Sequence, residues 1–360
     1  MIPVSSPHVG DLELAYVTDC VKSGWIGVGD YIAKFESDWA RYCGRKFGVA
    51  VSNGTTALEL AIKCLNIPPG KKVILPSFTI ISCAIAVIRN GLVPVFVDSE
   101  PDTFCIDPAS VLAAVDAETA AVMVVHMYGH PAQMDELIKI TCDNKLLLIE
   151  DAAEAHGATY KGKRCGSFGD VSCFSFYSNK IISTGEGGMV LTDDQERAEL
   201  LRSHRNLCFG VGKERFIHTG IGHNYRMTNL QAAIGCAQVE QIGGFLINKK
   251  EMARHYNIGL ADMPVTKPVV RDQCDPVYWM YGILSQDAQS LMCKLREFDI
   301  DTRPFFYPLH EQPALQKYAK HPLPVAERVS RSGFYLPSGV DLSRTDQDYV
   351  ISAVRSHYGF

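Results

Sequence analysis

No two of the twelve cysteines form a CxxC pair, and none stands with histidines at zinc-site spacing. That leaves neither a disulfide framework nor a zinc module to read. Cys64, Cys83, Cys173 and Cys236 lie inside apolar runs instead, as small buried hydrophobes of a reduced, cytoplasmic protein do. No apolar stretch approaches the roughly 20 residues of a membrane span. Residues 1–8 lack a basic segment followed by an apolar one, so no signal peptide is expected. An excess of positive charge is missing too: 35 Lys and Arg stand against 40 Asp and Glu, a net charge of −5. This argues against nucleic acid or an acidic membrane surface as the main partner. No internal repeat or low-complexity tract interrupts the 360 residues, a length that suits a large core and two domains.

What is present is an alternation. Apolar runs at 73–75, 93–97, 121–125 and 146–149 are separated by helical patterns at 56–65, 80–89, 108–114 and 132–140. Continuous rather than alternating apolar strands belong to a parallel sheet covered on both faces, so the fold class is α/β with a wound sheet. Two more strands, 171–176 and 188–192, flank a glycine-bounded loop, and helices follow at 194–205 and 228–240. After about residue 245 the rhythm changes. Helices at 248–261 and 287–297 surround strands near 278–284 and 302–306. We therefore expect a large domain over 1–245 and a small α+β domain over 246–360, divided near Gly243-Gly244.

Ligands in such sheets bind at the C-terminal strand ends. Asp151 lies there, after Leu146-Leu147-Leu148-Ile149-Glu150. An acid so placed either pairs with a protonated ring nitrogen of a cofactor such as pyridoxal phosphate (PLP) or caps a helix starting at Ala152. Lys180 sits in the loop between two strands, with Ser175 upstream and Gly185-Glu186-Gly187-Gly188 downstream. It is either a reactive amine of lowered pKa or a solvated surface lysine. Ser52-Asn53-Gly54-Thr55-Thr56 follows an apolar strand and opens a helix, which presents free amides to an anion or is an ordinary N-cap. It lacks the GK[ST] ending of a Walker loop. His126 and His130 are four apart, but Gly129-His130-Pro131 breaks any helix that would align them, so no metal site is expected. Arg226 and Arg303 pair either with a substrate diphosphate or with acids of the fold, and Tyr307 and His310 follow Arg303-Pro304 as further substrate contacts.

Taken in order, these motifs resemble the DegT/DnrJ/EryC1/StrS family of PLP-dependent sugar aminotransferases over nearly the whole chain. They are Trp25-Ile26-Gly27 with Phe35-Glu36, Ser52-Asn53-Gly54-Thr55, Val97-Asp98, His126-Met127-Tyr128-Gly129-His130-Pro131, Glu150-Asp151-Ala152-Ala153-Glu154, Phe174-Ser175-Phe176 to Lys180, Gly185-Glu186-Gly187-Gly188 and Gly222-His223-Asn224-Tyr225-Arg226-Met227-Thr228-Asn229. The resemblance implies a fold-type-I aminotransferase working as a homodimer. It makes Lys180 the Schiff-base lysine and Asp151 the pyridine-nitrogen partner. Glu154 is placed at the ring and its O3′ oxygen, Ser175, Gly54 and Thr55 at the phosphate, and Asn224 at the partner subunit's cofactor. The runs 184–189, 224–229, 302–304 and 306–308 resemble a branch that takes nitrogen from glutamate to C4 of a nucleotide-linked 4-keto-6-deoxy sugar. Amination at C3, or a non-catalytic relative, is the alternative; the dehydratase relatives carry histidine where this chain has Lys180. Two departures stand out. Ile80 occupies a position where relatives put an aromatic against the ring, and Asn206-Leu207-Cys208-Phe209-Gly210 replaces a Lys-Gly-Gln-Gly run near the nucleotide sugar.

Overall fold

The structure is a computed structural model that describes residues 1–209 and 216–360; Gly210 of the 206–210 run lies outside them. Helices α1 (Asp11–Ser23) and α2 (Asp30–Cys43) come first. Helix α2 buries Phe35, Trp39 and Cys43, one residue per turn, the stripe that fixes an amphipathic helix to a core. Neither helix was among the elements expected above.

Strands β1 (Phe47–Val51), β2 (Lys72–Pro76), β3 (Val93–Val97), β4 (Thr119–Val125) and β5 (Leu147–Asp151) alternate with α3 (Gly54–Cys64), α4 (Ser82–Arg89), α5 (Pro108–Ala114) and α6 (Met134–Asp143). A short hairpin, β6 (Thr159–Tyr160) and β7 (Lys163–Arg164), precedes β8 (Val171–Ser175), β9 (Gly188–Thr192) and α7 (Gln195–Arg205). The seven long strands form one sheet in the order β1-β9-β8-β5-β4-β2-β3.

The strands expected to be parallel, β2 to β5, are parallel, while β9, for which no direction was expected, is not. Strand β9 pairs antiparallel with both β8 and β1, while β5 pairs parallel with β8 and with β4. The reason is local. Ser175 pairs with Gly188, so the loop 176–187 closes directly onto the neighbouring strand, whereas a parallel neighbour requires a crossover, usually helical.

The helices expected at 228–240 and 248–261 are a single helix, α8 (Asn229–Gly259), of 31 residues. Gly243 and Gly244 sit inside it, exposed. Each costs about 1 kcal/mol of helix propensity, but the flanking Ile242 and Phe245 are buried in the sheet core and outweigh that penalty. Further along, Met252, Ala253 and Tyr256 of the same helix join a second core. That core includes residues of β11 (Tyr281–Leu284), α9 (Ala288–Glu297), β13 (Gly333–Leu336) and α11 (Arg344–His357). Strand β10 (Cys274–Asp275) extends the β6–β7 hairpin, and β12 (Arg303–Pro304) pairs with β13 just after α10 (Pro324–Ser332). Trp279, Phe305 and Leu309 return from this C-terminal half into the sheet core.

Candidate active site

Four strand ends empty into one cavity of about 410 Å³. Asp151 ends β5, Ser175 ends β8, Gly54 opens α3 three residues after β1, and Ile80 lies four residues beyond β2. Gly54, Thr55, Ile80, Asp151, Glu154, Ser175 and Lys180 all line it.

Asp151 does not cap a helix, because turns rather than a helix follow β5. Its Oδ1 accepts the Ala153 N–H at 3.0 Å and its Oδ2 accepts the Cys83 thiol at 3.2 Å. Burial raises its pKa, so an ionised Asp151 gains most by meeting a cationic partner. The adjacent Glu150 points to the other face of the sheet, as strand alternation requires. Burial pushes its pKa up, but bonds from His126 and the N–H groups of Gly166 and Phe168 outweigh that and hold it low. His126 Nδ1 accepts the Ala132 N–H at 3.0 Å. Its Nε2 therefore carries the proton that reaches Glu150 Oε1 at 2.9 Å. With both nitrogens engaged, the buried grouping of His126, Glu150 and Cys165 presents no free imidazole to a metal.

The Lys180 side chain is nine-tenths buried rather than solvated. Its Nζ lies 3.9 Å from Glu154 Oε1 and 3.7 Å from the centroid of the Trp279 ring. Burial lowers the pKa of this amine, against the pull of Glu154 and Asp151. Burial likewise lifts Glu154 to about 7, against the pull of Lys180. The Glu154 carboxylate accepts the Tyr128 N–H at 2.8 Å. Tyr128 achieves this from a left-handed backbone with φ of 53°, a conformation costly for a bulky residue and found at functional sites.

The other end of the cavity is built for an anion. Asn53 accepts the Thr56 N–H at 2.9 Å, while the first two amides of α3, those of Gly54 and Thr55, have no acceptor among the described residues. Thr55 Oγ1 lies 2.8 Å from Ser82 Oγ. A Cβ on Gly54 would sit 2.7 Å from the Cβ of Ser175, so glycine alone lets the helix start approach the serine. Free amides at a helix N-terminus, hydroxyls beside them, and a buried acid and lysine at the far end fit the phosphate, ring nitrogen and aldehyde of PLP.

Other expected residues lie elsewhere. Asn224 is exposed and bridges to Asn206, whose Oδ1 accepts Arg226 Nη1 at 2.6 Å. Arg303 and Tyr307 are exposed and do not line the cavity. His310 as a substrate contact is corrected: it is buried, with Nδ1 2.7 Å from Ser77 Oγ and Nε2 3.2 Å from Glu327, tying the end of β2 to α10. Sequence reasoning missed Trp279, Ser82, Cys83 and Phe306. Ser82 and Cys83 were within reach, being two and three residues past Ile80. Trp279 carries no signal, since it arrives from the far half of the chain.

The sequence profile of the DegT/DnrJ/EryC1/StrS aminotransferase family matches residues 7–355. The chain is 41% identical over 361 residues to GDP-perosamine synthase of Caulobacter vibrioides, covering 98% of this chain and 97% of that one. It is 37% identical over 350 residues to dTDP-3-amino-3,4,6-trideoxy-alpha-D-glucose transaminase of Streptomyces venezuelae, covering 96% and 91%. Among solved structures it is similar to a DegT DnrJ EryC1 StrS aminotransferase from Brucella abortus, with a TM-score of 0.92, 31% identity and 97% and 95% of the two chains covered.

Proposed function

The chain belongs to the DegT/DnrJ/EryC1/StrS aminotransferase family and is a PLP-dependent sugar aminotransferase, and on that premise we propose that it moves the amino group of glutamate to the C4 keto carbon of a GDP-linked 4-keto-6-deoxy sugar. The convergence of Lys180, Asp151 and Glu154 in one buried cavity supports the nitrogen transfer. The likeness to GDP-perosamine synthase supports the nucleotide and the carbon.

PLP, when bound, supplies a ring that accepts the electron pair left on carbon as a proton departs. The residues of the chain do the rest. The Asp151 carboxylate, buried beneath the cavity, balances a proton on the ring nitrogen. The amides of Gly54 and Thr55 and the Ser175 hydroxyl would hold the phosphate, and Ile80 would lie beside the ring. Lys180 would hold the cofactor, and its Nζ, an amine whose pKa burial has lowered, would take up and return a proton during the transfer.

The donor and the nucleotide bring several negative charges, yet Lys180 is the only cation among the described residues lining the cavity. That supports a homodimer in which the partner chain completes each site, with Asn224, Arg226 and Arg303 as the exposed polar groups available for it. Amination at C3 is the second reading, favoured by the likeness to the 3-amino sugar transaminase. Incubation with glutamate and a panel of GDP- and dTDP-linked 3-keto and 4-keto 6-deoxy sugars separates the two. NMR of the product locates the new amine. An amine at C3, or turnover of dTDP sugars alone, rejects the C4 assignment.

A further inference from the structure

Lys249 is 1% exposed, lies on α8 between the two cores, and has no carboxylate partner among the described residues. Its Nζ donates only to backbone carbonyls, to that of Trp279 at 3.0 Å and to that of Ser338. Burial pulls this amine down to about 7, yet a polar group buried here is still costly, and an apolar side chain of similar length would fill the space at lower cost. What the carbonyl bonds hold in place is Trp279. The indole Nε1–H donates to the Asn179 carbonyl at 2.7 Å, one residue before Lys180, and the indole face lies over the Lys180 Nζ. Gly129 backs the same residue, since a Cβ there would come within 3.1 Å of the Trp279 N.

We infer that Trp279 is a positioning residue that sets the charge state of the reactive lysine through its ring face, and that Lys249 is the buried anchor that keeps the indole there. The inference rests on the reading of Lys180 as that lysine. The groups facing Lys180 Nζ are the Trp279 ring and the Glu154 carboxylate, with the carboxylate of Asp151, the thiol of Cys83 and the imidazole of His156 as further titratable groups close by. Glu154 and Asp151 favour the ammonium from their side of the cavity. The negative face of the indole, 3.7 Å from Nζ, favours it as well. Without the ring the amine gives up its proton more readily.

The test uses apoprotein and competitive acetylation by acetic anhydride from pH 6 to 11, read by peptide mass spectrometry with exposed Lys139 as internal standard. W279L moves the midpoint of Lys180 labelling to lower pH, making labelling at pH 7 roughly two- to fivefold faster, as loss of a cation–π contact predicts. W279F, with a weaker quadrupole and no N–H, falls between; it carries the test if W279L does not fold. K249M shifts the midpoint the same way by less. A faster plateau with an unmoved midpoint in W279L means the ring only blocks access, and overturns the role of Trp279. A wild-type midpoint in K249M overturns the role of Lys249. Reduction of the PLP-loaded wild type with borohydride, followed by peptide mapping, separates the two levels of inference. Label on another lysine rejects the active-site reading itself, whereas label on Lys180 with unmoved midpoints rejects only the tuning by Trp279.

Discussion

His156 lies fully buried among the rings of Trp39, Phe174 and Phe176, at centroid distances of 5.6, 5.3 and 5.6 Å. Among the described residues neither ring nitrogen has a hydrogen-bond partner. Burial, and then the nearby charge of Lys180, lowers its pKa from 6.5 to about 3. The Ser175 backbone is close enough to favour the protonated ring, but no bond of normal geometry forms. A depressed histidine pKa gives stability that is present above the unfolded value and lost as pH falls towards the folded one. At pH 4.5 the unfolded ring is protonated and the folded ring is not, two pH units below the unfolded value. This costs roughly 2–3 kcal/mol of folding stability. His156→Phe removes the titrating group. Its absolute effect at pH 7 mixes relief of unsatisfied nitrogens, about 1–3 kcal/mol each, with overpacking of similar size. The pH dependence is free of both. Urea unfolding of apoprotein at pH 7.0, 5.5 and 4.5 therefore gives the measure. The stability of His156→Phe relative to wild type grows by roughly 2–3 kcal/mol between pH 7.0 and 4.5, and His130, common to both proteins, cancels. Parallel pH curves for the two proteins would refute the burial argument.

Four further outcomes are expected. Asp151→Asn lowers turnover by roughly 10²–10³-fold with the fold retained, as loss of a preorganised charge does; wild-type kcat in a folded variant removes its role. Gly54→Ala forces apart a 2.7 Å approach to Ser175 and weakens PLP at least about tenfold by fluorescence titration, and an unchanged Kd would show that the cradle does not hold the phosphate. Ile80 is 42% exposed at the cavity and lies outside α4, so Ile80→Tyr adds a ring without crowding a core and tightens PLP several-fold, about 1 kcal/mol; unchanged affinity at unchanged Tm rejects the ring contact. Mixed dimers of Asn224→Ala and Lys180→Ala chains recover close to half the wild-type rate at limiting PLP if the asparagine serves the partner's site, and no more than the Asn224→Ala homodimer per lysine-bearing site if it serves its own.

The strand ends were legible because each carries its chemistry locally: an apolar run, then Asp151, or Ser175, or Asn53-Gly54-Thr55, with the topology bringing these ends to one edge. Ile80 was legible as a position but not as an exposed one. Three things were hidden. The direction of β9 depends on whether a 12-residue loop closes back or crosses over, which its glycines leave open. The continuity of α8 depends on Ile242 and Phe245 being buried by a core that the helix pattern alone does not reveal. Trp279 reaches Lys180 from 99 positions away in the chain, and no local pattern announces a contact of that kind. His310 misled for the opposite reason: a histidine beside Arg303-Pro304 reads as a ligand until Ser77 and Glu327 are seen to occupy its nitrogens.

Helix α8 also has a mechanical meaning. A helix embedded by one half in the sheet core and by the other in the second core acts as a splint across the joint. Rotation of one body against the other has to flex the splint, and helix propensity is lowest at Gly243-Gly244, whose outward side meets open space among the described residues. The cavity residues Tyr177, Glu186 and Phe306 stand on segments outside this splint.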